Sequence, residues 1–275
     1  MLKPAVTFGK IVEVYKIAGD NLDTKDKYIA VFDSGVGGIS VLRHLRRELP
    51  MERFLYFGDG ANAPYGTRPT AEIRDLTLSA AEQLMQQGIK ALVVACNTAT
   101  AAAVKDLRLK YPDTIIVGIE PALKLATDRY PEGTVGVMAT PATLREGKFA
   151  RLMERCAQHC TVVKLPAAGL VELVEKGQGN SREAEELLAP LLLPYRGKLD
   201  AVVLGCTHYP FAAETIRKLL GEDVALLDGG LGTAQQTKRR LQEAGLLRSG
   251  TGEIVMENSL NDPAVIDFSR YLLEY

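Results

Sequence analysis

Two stretches of the chain follow one pattern, Ala91-Leu-Val-Val-Ala-Cys96-Asn-Thr98 and Ala201-Val-Val-Leu-Gly-Cys206-Thr-His208. In each, a short apolar run ends in a small residue, a cysteine and two polar residues. Such runs predict buried strands, and the polar residues that follow are typical of the start of a helix. The same strand, cysteine and helix unit therefore occurs once in each half of the chain.

The likeness continues upstream of both units. Ala30-Val-Phe-Asp33-Ser34 corresponds to Gly136-Val-Met-Ala139-Thr140, and the interval from Ser34 to Cys96 is 62 residues against 66 from Thr140 to Cys206. Polar groups thus stand at the carboxyl ends of strands in both halves. Open α/β sheets bind ligands at that edge, so two facing edges would enclose a small polar ligand.

The rest of the chain alternates apolar and amphipathic stretches, which predicts βαβ units around parallel sheets. The fold class is α/β: two similar α/β domains with mainly parallel central sheets and an active site in the cleft between them. The first domain comprises residues 1–119 plus 229–275 and the second comprises 120–228. Residues 1–27 form an extra N-terminal segment with a strand-prone piece, Ile11–Ile17.

The predicted strands are Tyr28–Phe32, Phe54–Phe57, Ala91–Ala95, Ile115–Ile119, Val135–Met138, Thr161–Leu165, Ala201–Leu204 and Val224–Leu227. The predicted helices include Ile39–Glu48, Thr70–Gln87, Thr98–Lys110, Ala142–Gln158, Arg182–Leu193 and Pro210–Leu220.

Composition excludes several classes of function. The 275 residues are 47% hydrophobic and 24% charged with a net charge of -1, the balance of an ordinary globular protein. Nothing electrostatic favours a nucleic-acid or membrane partner. Apolar runs fall short of the ~18–20 residues that span a bilayer, and charged residues interrupt the position of a signal peptide. Four cysteines are too few for a disulfide scaffold. We expect a cytoplasmic enzyme with reduced thiols.

The two cysteines in matching positions are candidate acid/base groups. Each precedes a predicted helix, whose free N–H groups and dipole favour a thiolate, so we expect the site to lower the thiol pKa values. The alternative is a pair of buried structural thiols, which we assign instead to Cys156 and Cys160. Beside Cys206, His208 can tune or relay its proton. The spacing does not suggest a metal site.

Two glycine-containing turns follow the first two predicted strands. Asp33-Ser34-Gly-Val-Gly-Gly38 lacks the order of a dinucleotide site or a phosphate-binding loop. It suits a tight turn whose N–H groups and Ser34 approach an anion. The loop Asp59-Gly-Ala-Asn-Ala-Pro64-Tyr65-Gly66 is similarly able to present N–H groups to a carboxylate.

From about Tyr28 onward the chain resembles the glutamate racemases of the aspartate/glutamate racemase superfamily. The motifs that carry the resemblance are Phe32-Asp-Ser-Gly-Val-Gly-Gly38, Tyr56-Phe-Gly-Asp59, Pro64-Tyr-Gly66, Ala95-Cys-Asn-Thr-Ala99, Gly118-Ile-Glu-Pro121, Ala139-Thr-Pro-Ala-Thr143, Leu173-Val-Glu-Lys-Gly177 and Leu204-Gly-Cys-Thr-His-Tyr-Pro210. The chain departs from the family pattern at Ala167-Ala168, where a Cys-Pro pair is usual, at Gly60 and at Gly229-Gly230.

The resemblance implies a role for each matching residue. Cys96 takes the α-proton from the D-enantiomer and Cys206 takes it from the L-enantiomer. Asp33 supports Cys96, His208 supports Cys206, and Glu175 is a further acidic helper, for which Glu172 is the alternative. The residues that surround the carboxylates and amine of the substrate are Ser34, Asn97, Thr98, Thr140, Thr143 and Thr207, and those at its side-chain end are Pro64, Tyr65 and Gly66.

The implied activity is cofactor-independent racemisation of L- and D-glutamate that supplies D-glutamate for peptidoglycan synthesis. Without pyridoxal phosphate as electron sink, the site must exclude water and surround the substrate with hydrogen bonds. No metal, nucleic acid or membrane is implied; a homodimer is, and a small-molecule effector is left open. The alternatives are an aspartate or hydantoin racemase, against which His208 and the Pro64–Gly66 loop argue, and a two-lobed amino-acid-binding module, which would not need a thiol in each half.

Overall fold

A computed structural model gives the structure of the protein and describes residues 23–119, 122–145 and 147–275. The strand-prone piece at 11–17 and the motif residues Glu120 and Pro121 lie outside the described residues. Within the described part, no helix is long and apolar enough to cross a membrane.

Nine strands in the described part form two sheets in which every pairing is parallel. The first sheet has the order β4-β3-β1-β2-β9 and the second has the order β6-β5-β7-β8. This confirms the predicted α/β class with parallel sheets. The bounds are β1 Ile29–Asp33, β2 Arg53–Gly58, β3 Ala91–Val94, β4 Ile115–Gly118, β5 Thr134–Ala139, β6 Thr161–Pro166, β7 Ala201–Leu204, β8 Ala225–Asp228 and β9 Glu253–Asn258.

The predicted strands match β1 to β8 within about one residue, but β9 has no counterpart among them. Its sequence, Glu253-Ile-Val-Met-Glu-Asn258, begins with an exposed glutamate and carries a second at position 257. Among the described strands it pairs with β2 alone, at the edge of the first sheet. The apolar pattern of an edge strand is weaker because one side of it is less covered.

The helices separate the strands as βαβ units require. Their bounds are α1 Ile39–Glu48, α2 Thr70–Gln86, α3 Asn97–Lys110, α4 Leu123–Arg129, α5 Pro141–Arg145, α6 Gly147–Cys156, α7 Leu170–Glu175, α8 Arg182–Leu192, α9 Ala213–Leu220, α10 Gly230–Glu243 and α11 Pro263–Glu274. The stretch predicted as one helix from Ala142 to Gln158 contains α5 and α6. The stretch predicted from Pro210 is a 3-10 turn, Tyr209–Ala212, followed by α9.

Strand β1 shows why the central strands are apolar throughout. All five of its residues are buried. Ile29 and Val31 pack into one apolar cluster on the α1 side, while Ala30 and Phe32 pack into another that includes Ile73 and Leu84 of α2. A strand covered by helices on both faces needs no polar alternation, so its carboxyl end is where polar side chains can emerge.

The chain returns from the second sheet to the first through α10. This helix follows β8 and packs against α1, after which β9 and α11 complete the first-sheet side. Because the connection crosses back, α1 contacts helices from the C-terminal part of the chain. The carboxyl ends of β1, β3 and β7 consequently face one cleft, whose lining includes Ser34, Cys96 and Cys206.

A buried ion pair lies at the amino-terminal ends of β2 and β3, at the end of the first sheet away from the cleft. Lys90 Nζ lies 2.5 Å from Glu52 Oε2, and both side chains are almost wholly buried, at 0% and 2% exposure. The ammonium also donates to the carbonyls of Lys25 and Leu246, while Glu52 Oε1 accepts from the Arg248 N–H. The pair therefore ties the start of the described chain and the segment before β9 to the sheet.

We expect Glu52→Gln to lower the free energy of unfolding by about 3–5 kcal/mol, because it leaves the buried Lys90 ammonium without its counter-charge. Glu82→Gln is the matched control, since Glu82 pairs with Lys110 on the exposed surface and such pairs contribute little. Urea denaturation of both variants measures the difference. Equal stabilities for the two variants would contradict the prediction.

Candidate active site

Cys96 lies at the junction of β3 and α3. It is the N-cap residue of α3, where Sγ accepts a 3.5 Å hydrogen bond from the Ala99 N–H. Ser34 Oγ lies 3.5 Å from the same sulfur. The parallel pairing of β1 with β3 aligns Phe32 with Val94, which brings the residues following both strands side by side.

The expectation of a lowered thiol pKa is wrong for Cys96. Burial raises its pKa to about 12, and the charge of Asp33 adds to the rise. Hydrogen bonds from Ser34 and Ala99 act in the opposite direction but are outweighed. A helix N-terminus offers partial charge only, whereas desolvation penalises the whole thiolate charge. The surroundings of Cys96 therefore favour the protonated thiol over the thiolate.

Cys206 has a different environment. It follows β7, and Sγ lies 3.7 Å from His208 Nδ1. The next element is the 3-10 turn at Tyr209–Ala212 rather than an α-helix, so the two cysteines do not share the helix N-terminus that the sequence pattern predicted. An imidazole, not a helix, is the principal partner of Cys206.

Glu175 holds the far side of the His208 ring. Its Oε1 lies 2.6 Å from His208 Nε2 and accepts a 2.9 Å hydrogen bond from the Val36 N–H. Glu172, the alternative acidic residue, lines the cleft, one helical turn away on α7. Of the two glutamates, Glu175 is thus the one in contact with His208.

These contacts keep His208 charged. Burial alone would lower its pKa, but the hydrogen bonds and charges of Cys206 and Glu175 outweigh burial and raise the pKa well above the ordinary value. Burial likewise raises the pKa of Glu175, and His208 with the Val36 N–H reverses that effect and lowers it. An imidazolium paired with a carboxylate results, with the imidazolium beside the Cys206 sulfur.

Asp33 is fully buried and joins the two halves. Its carboxylate accepts from the Gly35 N–H at 3.1 Å and from Thr207 Oγ1 at 3.0 Å. Ser40 Oγ donates in turn to the Thr207 carbonyl. Burial raises the pKa of Asp33 from 3.8 to about 6, against the lowering effect of His208. Asp33 acts on Cys96 through its charge, while its hydrogen bonds go to the glycine turn and to Thr207.

The glycine turn admits side chains from the other half of the chain. A Cβ on Gly35 would collide with Glu175 Oε1, and one on Gly37 would collide with the His208 ring. The turn does present an N–H to an anion, as its sequence suggested, and that anion is the Glu175 carboxylate. The glycines are thus required for close approach across the cleft.

Most of the substrate-site candidates line this cleft. The lining includes Ser34, Pro64, Tyr65, Gly66, Cys96, Asn97, Thr98, Thr140, Cys206, Thr207 and His208. Thr143 lies behind them, 3.1 Å from Thr98 Oγ1 and 3.0 Å from Thr140 Oγ1. Asp33 and Glu175 also stand behind the lining. The lining also includes residues that the sequence did not predict, which are Thr67, Pro141, Ala167, Ala168, Gly169 and Val171. The only signal among them was the departure from the family pattern at Ala167-Ala168.

Asn97 offers a free donor to the cleft. Its Nδ2 atom is buried, and no hydrogen-bond partner for it is found in the described part of the chain. Buried polar groups are nearly always satisfied, so a group that lines a cleft without a protein partner is suited to a ligand. Elsewhere in the lining, Tyr65 Oη donates to Asp59 Oδ2 at 2.7 Å, which fixes the Pro64–Gly66 segment.

The remaining cysteines and histidines lie away from the cleft. Cys156 and Cys160 are buried in an apolar cluster with Phe149 and Met153, in keeping with a structural role. In the part of the chain that the structure describes, no group of three or more His, Cys, Asp or Glu side chains is arranged to hold a metal ion.

An α/β protein with two parallel sheets and a cleft lined by one thiol from each side has the architecture of the amino-acid racemases. The chain belongs to the Asp/Glu/Hydantoin racemase family, whose model matches residues 38–237. This confirms the resemblance noted in the sequence and the expectation of an isomerase.

Relatives cover nearly the whole chain. A glutamate racemase of Clostridium botulinum is 46% identical over 256 residues, which are 92% of this chain and 99% of the relative. The crystal structure of glutamate racemase from Francisella tularensis in complex with D-glutamate superposes with a TM-score of 0.78 at 31% identity, covering 91% of this chain and 95% of that one. The Escherichia coli glutamate racemase, in complex with L-glutamate and the activator UDP-MurNAc-ala, has a TM-score of 0.73 at 33% identity, covering 78% and 82%.

The raised pKa of Asp33 has a consequence for stability. Its folded-state pKa of about 6 lies above the ordinary 3.8, so the unfolded chain loses its proton first as the pH rises. Asp33 thus destabilises the fold progressively between pH ~4 and ~6, and the loss then levels off near 3 kcal/mol.

We expect Asp33→Asn to remove this dependence. The free energy of unfolding of the variant relative to the wild type should rise by about 3 kcal/mol between pH ~4 and ~7. Asp223→Asn, at an exposed position, is the control and should show no such trend. Denaturant titrations at several pH values test this, and parallel stability curves for Asp33→Asn and the wild type would rule it out.

Proposed function

We propose that the protein is a glutamate racemase that works without a cofactor, with Cys96 and Cys206 as its two bases. The observation that carries the proposal is that these two thiols line one cleft and come from different sheets. Inversion at a carbon atom is simplest when one base removes a proton from one face and an acid returns a proton to the other. A single thiol could act on both faces of the carbon atom only if the substrate rotated within the site.

The unequal environments of the thiols support this division of labour. One thiol must be protonated while the other is a thiolate at the start of each turnover. Burial keeps Cys96 protonated, while the His208 imidazolium lies 3.7 Å from the Cys206 sulfur and favours negative charge there. The resting enzyme is accordingly arranged to deprotonate L-glutamate at Cys206 and reprotonate at Cys96.

The polar lining supports an amino-acid substrate with a second carboxylate. The hydroxyls of Thr140 and Thr207 already donate to Thr143 and Asp33 and are available as acceptors. Asn97 Nδ2 and the hydroxyls of Ser34 and Thr98 can donate hydrogen bonds into the cleft. Such donors stabilise the substrate carboxylate as negative charge develops on it during proton removal. The bound D-glutamate and L-glutamate of the two relatives above are consistent with this substrate.

Wider aspects of the function are also proposals. We propose that D-glutamate made here supplies peptidoglycan synthesis, and that the protein acts as a homodimer in the cytoplasm. An effector is supported by the activator bound to the Escherichia coli relative. We further propose domain bounds of 1–119 plus 229–275 and 120–228, supported by the strand membership of the two sheets.

Serine substitution of either cleft cysteine should abolish racemisation. We expect Cys96→Ser and Cys206→Ser each to lower kcat by at least about 10²–10⁴-fold, since a hydroxyl is a far weaker acid than a thiol. Glutamate binding should be retained. Circular dichroism of D- and L-glutamate solutions without added cofactor measures the rate, and deuterium from the solvent should enter Cα during turnover.

Cys160→Ala is the matched control, because this thiol is buried away from the cleft. It should racemise glutamate at the wild-type rate. Wild-type activity in either cleft variant would refute the two-base assignment. Turnover of aspartate in preference to glutamate by the native protein would refute the substrate assignment.

Asn97→Asp should weaken substrate binding. The change replaces a buried donor by an acceptor with negative charge in the wall of the cleft, where a carboxylate of the substrate is proposed to bind. We expect KM for both enantiomers to rise about tenfold or more. Initial-rate kinetics at pH 8 measure this. An unchanged KM would place the substrate carboxylates elsewhere in the cleft.

A further inference from the structure

Tyr56 is a buried residue beside the site that is not among the side chains lining the cleft. It lies on β2 with 2% of its surface exposed. Its hydroxyl donates a 2.5 Å hydrogen bond to the carbonyl oxygen of Gly35. Burial, with the nearby charges of Asp33 and Glu175, raises its pKa well above the ordinary value, so the hydroxyl keeps its proton and remains a donor.

The Gly35 carbonyl belongs to the same peptide group as the Val36 N–H. That N–H donates to Glu175 Oε1, which contacts His208 Nε2, and His208 Nδ1 faces the Cys206 sulfur. An unbroken chain of polar contacts therefore runs from Tyr56 on the first sheet to Cys206 on the second. Hydrogen bonds in such a chain polarise one another, and a bond at each end of a peptide group also fixes its orientation.

Two glycines leave room for this peptide. A Cβ on Gly58, two residues after Tyr56, would lie 2.7 Å from the Gly35 oxygen. A Cβ on Gly35 itself would collide with Glu175. The space on one side of the peptide is thus needed for its carbonyl and the space on the other for the carboxylate it holds.

We propose that Tyr56 is a positioning residue that acts on Cys206 through the Gly35–Val36 peptide, Glu175 and His208. The inference rests on the proposed function for its catalytic meaning. Without the hydroxyl, the peptide loses the hydrogen bond that orients its carbonyl. The Val36 N–H is then less well aimed at Glu175, and Glu175 holds the imidazolium less well beside the Cys206 sulfur. The Cys206 thiolate is then less favoured.

The test compares Tyr56→Phe with Tyr28→Phe. Tyr28 is also buried and its hydroxyl accepts a hydrogen bond from Arg53, but it lies at the amino-terminal end of β1, at the end of the strand away from the cleft. Alkylation of each cysteine by iodoacetamide is followed from pH ~5 to ~11 by peptide mass spectrometry. The charged and titratable groups that face His208 are Glu175, Cys206 and Asp33, and all three remain in both variants.

In Tyr56→Phe the midpoint of Cys206 alkylation should shift upward by roughly half a unit to one unit, because the hydroxyl acts through intervening groups. The Cys206 midpoint in Tyr28→Phe should not shift. At neutral pH, kcat/KM for racemisation should fall roughly three- to tenfold and recover as the pH rises. An unshifted Cys206 midpoint in folded Tyr56→Phe overturns the proposal.

A double-mutant comparison separates the relay from a general loosening of the site. In a Glu175→Gln background, Tyr56→Phe should shift the Cys206 midpoint no further. The same shift in both backgrounds would show that Tyr56 does not act through Glu175, and would overturn the proposal.

A backbone substitution covers the case in which Tyr56→Phe does not fold. Replacing Val36 by its α-hydroxy acid turns the Gly35–Val36 amide into an ester, which removes the N–H and leaves Tyr56 in place. The Cys206 midpoint should again shift upward, and no shift overturns the relay. Alkylation does not require turnover, so the two proposals can fail separately. A shift of the Cys206 midpoint in a protein without racemase activity would contradict the proposed function alone. Racemase activity without a shift would contradict the relay alone.

Discussion

The hydrogen bond between Glu175 and the Val36 N–H is the contact on which the arrangement of the site depends. It joins α7, which follows β6 of the second sheet, to the turn that follows β1 of the first sheet, and it places a carboxylate against the His208 ring. A charged pair with one buried and one partly buried member is costly unless each member is hydrogen-bonded. The glycine turn supplies the bond on the carboxylate side, and its lack of side chains lets the two halves approach closely enough to make it.

The same constraint explains why the two cysteines differ. Both follow central parallel strands, yet the turn after β1 gives Cys96 a hydroxyl neighbour and a buried carboxylate nearby. His208, which follows β7, gives Cys206 an imidazolium neighbour, and Glu175 of α7 helps to keep that ring charged. The electrostatic difference between the thiols therefore comes from what crosses the cleft toward each of them. The strands only determine where the sulfur atoms stand.

The strands and the paired cysteines could be predicted from the sequence because each leaves a local pattern in it. The apolar runs from Tyr28 to Phe32 and from Ala91 to Ala95 predict their strands because both faces of each are covered. Strand β9 was missed because it lies at an edge and carries two glutamates. The paired cysteines stood out through repetition in the chain. The raised pKa of Cys96 could not be foreseen, because desolvation depends on tertiary packing, and Tyr56 matched a family motif without any local sign of what its hydroxyl touches.

The burial of the Cys96 thiol also has a kinetic meaning. L- and D-glutamate have equal free energies, so thermodynamics requires the same kcat/KM in both directions whatever the two thiols prefer. In the proposed reaction, each turnover leaves the proton on the sulfur opposite to where it began, and the free enzyme exists in two forms that differ only in the location of that proton. Return of the free enzyme to its starting form therefore requires a proton to move between the two sulfur atoms or to exchange with solvent. The unequal surroundings of Cys96 and Cys206 set how much of each form is present between turnovers, although they leave the final ratio of the two enantiomers unchanged.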